Sequence, residues 1–425
     1  MESENIDRLS MLPEEIVSHI LSLMPTKFAA RTSILSKRWR YSWMFVTNLD
    51  FDDSHRFHIP SILDNLTSFV DRVLEFRESS QVKLFRLHIP TTVVPKSCVS
   101  KWIDKAVGLK VCEFDIQIMK LDLPLSFFTC KTLTKLRLHR TQVDFTLWEF
   151  PSSISLPCLK TLDILVYSNP AVNAFKLING CPILENLSLK IQWVRHIEDF
   201  IFNIPTLKRL SLTMECQMHI INIVLDVPHL EYLFVGGDFP SFFVMKDVSS
   251  LVEASISFSD LSSHHLLVDL LKGLSGVESL FAEANDSDYF GEQLCLGLLT
   301  FTNMKHMELK GFSHSQLIPQ FLERSPQLKH LCIGNLDDQP EESLSWIEPK
   351  IVPACLITTL KTIKFSKCKG WKCDIEFLEY MLGNAEVLKT VTITWENLSI
   401  EKRDRLRAHL LKVPRASRYC EIIFL

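Results

Sequence analysis

At 425 residues, with 47% hydrophobic and 23% charged side chains, the chain has a globular composition and exceeds one ordinary core, so several domains or a repeat array are expected. A net charge of −4 gives no electrostatic reason to place nucleic acid among its partners. The acidic, polar start MESENIDRLS suits neither a secretory nor a mitochondrial leader, and no apolar run reaches the ~18 residues of a membrane span; a soluble, intracellular chain is expected, cytoplasmic or nuclear, with no membrane partner.

The first predicted element starts near Pro13, a residue suited to the opening of a helix, with Glu14 and Glu15 placed favourably for its dipole. Ile16, Ile20 and Leu23 form an apolar stripe, widened by Val17, Leu21 and Met24. Pro25 ends this helix, and Thr26 is placed as the N-cap of a second one from Lys27. Ser36 is placed as the cap of a third, with Trp39 and Trp43 four residues apart on one face. Three short helices cannot enclose a stable core alone. Leu9, Leu12, Ile16, Ile20, Leu21, Leu35 and Trp39 must therefore be buried elsewhere, on the rest of the chain or on a partner; spacing alone leaves both open.

Residues 9–40, LSMLPEEIVSHILSLMPTKFAARTSILSKRWR, closely resemble the F-box of plant F-box proteins. The elements L-S-x-L-P-[DE]-[DE]-[LI], I-L-S-x-[LM]-P-T-K and T-S-x-L-S-K-R-W occur in order and without gaps. The resemblance implies that Leu9, Leu12, Pro13, Ile16, Ile20, Leu21, Leu35 and Trp39 help form the surface that grips a Skp-family adaptor. One departure is Ser42, which precedes Trp43 where many members have Leu-Trp.

From residue 84 a pattern L-x-x-L-x-L recurs, often with Lys second. It is clearest in LTKLRL (133–138), LKTLDI (159–164), LENLSL (184–189), LKRLSL (207–212), LEYLFV (230–235), MKHMEL (304–309), LKHLCI (328–333), LKTIKF (360–365) and LKTVTI (388–393). Weaker copies begin at Leu84, Leu109, Leu251 and Val277, and the spacing of 21 to 32 residues is that of leucine-rich repeats, one short strand each. Each unit hides its leucines only by stacking on its neighbours. Between strands the chain often reads helical, as in 62–74. Where regular repeats carry Asn after the strand, this chain has Thr141, Tyr167, Gln192 and Glu215. Alternation points Arg137, His139, Asp163, Ser188, Lys190, Ser211, Thr213, Phe234, Phe281, Glu308 and Lys310 to the concave surface. Of these, Arg137, His139, Lys190, Phe234, Phe281, Glu308 and Lys310 are the candidate contacts to a target protein, with the two aromatics as the best anchors.

The C-terminal stretches WIEPKIVPACLITTLKTIKF, FLEYMLGNAEVLKTVTI and PRASRYCEIIF resemble the FBD segment of plant F-box/leucine-rich-repeat proteins, with Asn384, Ala385, Leu388, Pro414, Arg415, Ser417 and Cys420 at its recognisable positions. Two repeat-like strands, a helix from about Ser399 to Leu411 and a last strand at Tyr419–Phe424 are predicted there, as an atypical unit that caps the repeats. Lys402, Arg403, Arg405, Arg407, Lys412, Arg415 and Arg418 read as a solvated helix face rather than a nucleic-acid site, since Glu401 and Asp404 are interleaved and no stacking aromatic lies among them.

No catalytic signature is present: with 12 glycines the chain has no phosphate-cradling loop, and it lacks H-E-x-x-H and G-x-S-x-G. The 12 cysteines include no C-x-x-C pair, and Cys130, Cys158 and Cys181 beside repeat leucines read as packing residues. The expected fold is α/β: a three-helix F-box (1–50), a curved leucine-rich-repeat solenoid (51–345) and a closing FBD segment (346–425). The resemblance implies a non-catalytic receptor without cofactor or metal, joined through a Skp-family adaptor to cullin and RING subunits. A sequestering scaffold and a small-ligand sensor are the rival readings.

Overall fold

The computed structural model describes residues 11–52, 61–77, 81–89, 94–118, 123–139, 150–167, 171–192, 199–215, 221–238, 241–258, 264–284, 299–311, 317–334 and 346–425. It divides into two compact units, residues 1–196 and 197–425.

In the first unit, helix α1 (Glu14–Ser22) starts directly after Pro13, with Glu14 and Glu15 in its first turn. Helix α2 (Thr26–Arg31) follows Pro25. Thr26 is not the N-cap expected for it: it is the first helical residue, fully buried, and its hydroxyl turns to a strand instead. The third helix expected from Ser36 does not form. Residues 35–41 make turns, and only single 3-10 turns appear, at Thr32–Ile34 and Ser42–Phe45. Ser42 is buried and donates its hydroxyl to the Arg38 carbonyl at 3.1 Å, which satisfies its polar group.

Strand β1 (Asn48–Asp52) opens a parallel sheet continued in sequence order by β2 (Leu84–Ile89), β3 (Glu113–Ile118), β4 (Lys135–His139), β5 (Thr161–Tyr167) and β6 (Asn186–Gln192). Helices α3 (Ser61–Glu75), α4 (Lys96–Gly108) and α5 (Ala171–Asn179) lie between strands, α3 where the apolar rhythm of 62–74 predicts it. The alternate residues Phe85 and Leu87, Phe114 and Ile116, Leu136 and Leu138 are buried, each worth about 1.5–3 kcal/mol. Phe51, Phe85, Phe114 and Phe127 continue as a run of rings with centroids 5.5–5.7 Å apart. Where helices pack on each other, Trp102 donates its indole N–H to Asp71 at 2.7 Å.

The second unit repeats this plan. Its main sheet orders β8 (Arg209–Glu215), β10 (Tyr232–Asp238), β12 (Glu253–Phe258), β13 (Ser279–Ala284), β14 (His306–Lys310), β15 (His330–Gly334), β16 (Thr362–Cys368), β17 (Thr390–Trp395) and β18 (Glu421–Phe424), all parallel. A smaller parallel sheet of β7 (Phe200–Asn203), β9 (Ile221–Asp226) and β11 (Ser241–Asp247) takes the place that helices occupy elsewhere. Helices α6 (His264–Gly273), α7 (Leu317–Glu323), α8 (Ala354–Thr358), α9 (Lys372–Asn384) and α10 (Ile400–Lys412) complete the unit. Gly237 has φ +104°, and a Cβ there would meet the Met214 carbonyl at 2.1 Å, so this position requires glycine.

Cys130 and Cys181 are buried between repeat leucines and Cys158 is half-buried. Burial pushes the Cys181 thiol up to about 12, which removes it from thiolate chemistry. Among the described residues no helix is long and apolar enough to cross a membrane.

Candidate functional site

The N-terminal helices bury one face and leave the other bare. Val17, Leu21, Ala29, Trp39 and Val46 are buried. Arg77, itself buried, donates from its guanidinium to the Val46 carbonyl, and burial lowers its pKa to about 10. Asn48 donates to the Ser22 carbonyl at 3.1 Å, and the Trp43 and Phe76 rings meet edge to face at 6.3 Å. The helices thus dock on the chain's own first strand.

Of the 23 exposed large apolar side chains among the described residues, nine fall between Met11 and Phe45, a density that marks an interaction surface. Ile16 is 45% exposed, Ile20 36% and Leu35 63%. Pro13 is exposed and Leu12 half-buried, its carbonyl bonded by the Arg38 guanidinium. Leu21 and Trp39 lie inside, beneath this surface. Leu9 falls outside the described residues. Both stripes of α1, Ile16–Ile20 and Val17–Leu21, are apolar, so the sequence alone could not separate the inner one from the outer one.

The strands present a second surface, on the face opposite their buried residues. In the first unit Asp50, Arg86, Asp115, Arg137, Asp163 and Ser188 are successive register partners across β1 to β6. Arg86 reaches Asp50 and Asp115, both at 3.0 Å, and Arg137 reaches Asp163 at 3.1 Å. His88 adds contacts to Asp115 at 2.9 Å and Asp52 at 3.5 Å; His139 meets Asp163 at 3.0 Å. Asp115 would be raised by burial, but the His88 hydrogen bond and charge, with Arg86, hold it at about 2. Arg137 and His139 were expected on this face. Their neighbours Asp50, Arg86 and Asp115 were missed, although the alternation of sign through FRLHI, FDIQI, LRLH and LDIL was visible. Lys190, in β6, is the register partner of Leu165.

In the second unit Phe234, Ser255, Phe281, Glu308, Cys332 and Lys364 form the equivalent row. An open groove of about 540 Å³ lies along it, lined by Phe281 and Glu308 and also by Tyr232, His330 and Lys364. Lys310 sits 4.7 Å from the Phe281 ring centre and 3.1 Å from Glu308, so three expected contacts are brought together. Phe234 instead lays its ring over Gly236, where a Cβ would meet it at 2.8 Å. His306 and His330 stack with centroids 4.6 Å apart, and His330 Nδ1 lies 2.8 Å from the Thr362 hydroxyl. Burial, followed by the charges of His306, Lys361 and Lys329, lowers the His330 pKa. Burial and the Glu308 charge raise the Cys332 thiol, which disfavours its thiolate.

The C-terminal end is tied together by side chains. Ser417, buried, donates to the Leu388 carbonyl at 2.6 Å, and Arg415 donates to the Cys420 carbonyl at 2.7 Å. Ser399 caps α10 by accepting the Lys402 N–H at 3.3 Å, and Arg407 lies over the Phe424 ring at 5.3 Å.

Comparison with known proteins gives three family matches. Residues 9–48 match the F-box domain, 100–249 the LRR repeats of FBD-associated F-box protein At5g56370, and 348–393 the FBD. Among curated proteins of Arabidopsis thaliana, the chain is 30% identical to FBD-associated F-box protein At4g10400, over 99% of this chain and all of that one. It is also 30% identical to F-box/FBD/LRR-repeat protein At4g26340, with the same coverage, and 26% identical to F-box/FBD/LRR-repeat protein At1g78750, over all of this chain and 97% of that one.

Proposed function

The chain belongs to the plant F-box/FBD/LRR-repeat family, and on that premise we propose that it is the substrate-recognition subunit of a Skp–cullin–F-box type E3 ubiquitin ligase. In this reading residues 1–50 bind a Skp-family adaptor, 51–345 hold a target protein on the polar face of the repeats, and 346–425 terminate the repeat array. The observation that carries it is the bare apolar face of α1 and the following turns, with Ile16, Ile20 and Leu35 exposed above the buried Leu21 and Trp39. Leu12 and Pro13 extend that face, and Leu9 is assigned to it by the F-box pattern. Apolar side chains at this density gain about 25 cal/mol per Å² when a partner covers them.

The chain itself makes no bond in this scheme. It raises the effective concentration of a target near ubiquitin-transfer subunits that belong to the cullin and RING partners. Purified chain should support ubiquitination of a bound target only with adaptor, cullin, RING subunit and E2 all present. Transfer by the chain with E1 and E2 alone would contradict a non-catalytic role. Whether degradation follows binding is read from target half-life with and without the chain; an unchanged half-life favours a sequestering scaffold.

A further inference from the structure

In the second unit the residue before each of β10, β12, β13, β14, β15, β16 and β17 donates its backbone N–H to the carbonyl of its equivalent in the previous repeat. Lys329 bonds to Lys305 at 2.9 Å, Lys361 to Lys329 at 2.8 Å and Lys389 to Lys361 at 2.8 Å. These four lysines therefore stand in one column at the N-terminal ends of β14 to β17, on rungs roughly 4.8 Å apart.

Earlier positions of this column in the second unit are mixed: Lys208, Glu231, Val252 and Glu278 follow one another. Lys305 itself is paired with the preceding Glu278 at 2.8 Å. From Lys305 to Lys389 every position is lysine. Lys329, Lys361 and Lys389 have no carboxylate at ion-pair distance among the described residues, and the latter two are exposed. Like charges on neighbouring rungs are destabilising, so an anion laid along the column relieves a cost already present in the fold.

We propose that this lysine column, with the adjoining groove, is the docking surface for an acidic, carboxylate-rich segment of the target protein. The inference rests on the reading of the repeat face as target-binding and names the chemistry it selects. His330, Thr362 and Lys364 line the β15–β16 side of the groove beside the column, whereas Glu253 and Glu308 line its β12–β14 side, so an acidic segment on the lysines is confined to the β15–β16 side. An extended acidic segment lying across the strands meets one ammonium on each rung, and charge complementarity of this kind sets partner choice and on-rate. The charge of the chain as a whole points the other way, at −4, so the positive column is a local feature.

The test uses the full chain and a fluorescent octaglutamate peptide, with octalysine and an oligothymidylate single strand as comparison probes. Octaglutamate should bind, and binding should weaken about tenfold in Lys329→Gln/Lys361→Gln/Lys389→Gln. It should also weaken as salt rises from about 50 to about 300 mM. Lys402→Gln/Arg403→Gln on α10 should leave it unchanged. The triple variant should melt no lower than the parent, because like charge has been removed; Lys361→Gln alone should weaken binding about twofold, a readout that stands even if the triple variant folds poorly. Absence of octaglutamate binding, equal binding by the triple variant, or tighter oligothymidylate binding through the same lysines would overturn the proposal. Adaptor capture is read in parallel: its loss in the parent chain sinks the receptor reading, whereas its persistence without octaglutamate binding sinks only the lysine column.

Discussion

The hydroxyl of Thr26 accepts the backbone N–H of Asp50 at 2.7 Å, joining the second helix to the first strand of the repeat sheet. Thr26 is fully buried, so this bond is shielded from water and no solvent molecule can replace it. The F-box therefore shares a core with the repeats it precedes.

Thr26→Val should leave the Asp50 N–H buried without a partner and cost roughly 1–3 kcal/mol. Thr26→Ser should retain the bond and cost less. Urea denaturation checks this, and equal stability of the valine and parent chains would show that the link carries no weight.

Leu21 and Ile20 are adjacent in sequence and differ in exposure, 0% against 36%. Leu21→Ala should cost about 2–5 kcal/mol through the cavity it leaves. Ile20→Ala should cost less than about 1 kcal/mol of stability. A reversed order in denaturation midpoints would place the inner and outer faces of α1 wrongly.

The repeats were legible because each buries its own leucines in a fixed L-x-x-L-x-L frame: strands formed at the strong copies and also at the weak ones that open near Leu84, Leu109, Leu251 and Val277. The small sheet of β7, β9 and β11 lay outside that frame. Short runs such as FIFN and INIVLD are too brief to tell a strand from a helix segment by periodicity. The third helix was inferred from Trp39 and Trp43 at helical spacing, yet that spacing is equally met by turns that bury Trp39 and set Trp43 against Phe76. The ion ladder needed the register between strands tens of residues apart, which loop lengths alone do not fix.

His88 lies between Asp115 and Asp52, and its pKa responds to both. Burial alone would lower it, but the hydrogen bond and charge of Asp115, then the charge of Asp52, leave it raised above 6.5. Such a group contributes fully below its unfolded pKa and loses its contribution as pH rises through the folded one. Stability should therefore fall as pH rises from about 6.5 through the raised folded value, and His88→Gln should flatten that part of the profile. At the acid end Asp115, held at about 2, contributes above the ordinary carboxylate range and loses its contribution as pH falls towards 2. An unchanged slope in His88→Gln, read by denaturation across pH, would remove His88 from the account.

Deleting residues 346–425 removes β16, β17 and β18 with the helices between them, and leaves β15 as a bare edge with Leu331 and Ile333 uncovered on one side. A repeat array without its terminal unit exposes apolar surface, so aggregation is expected rather than the clean loss of one contact. Adaptor binding should persist in the fraction that stays in solution, because the F-box surface lies in the other compact unit. A truncated chain that is monomeric, as heat-stable as the parent and deficient only in target binding would mark the segment as a recognition module.

The affinity of the full chain for a purified Skp-family adaptor tests the central claim most directly. Leu12→Ala/Pro13→Ala and Ile16→Ala/Ile20→Ala should each lower it about 30- to 1000-fold, since truncating interface anchors costs roughly 2–4 kcal/mol. Their melting temperatures should stay close to the parent's, because Pro13, Ile16 and Ile20 are exposed and Leu12 is only half-buried. Undiminished adaptor capture by both folded double variants would contradict the assignment of this face, and with it the role of the chain as an adaptor-bound receptor.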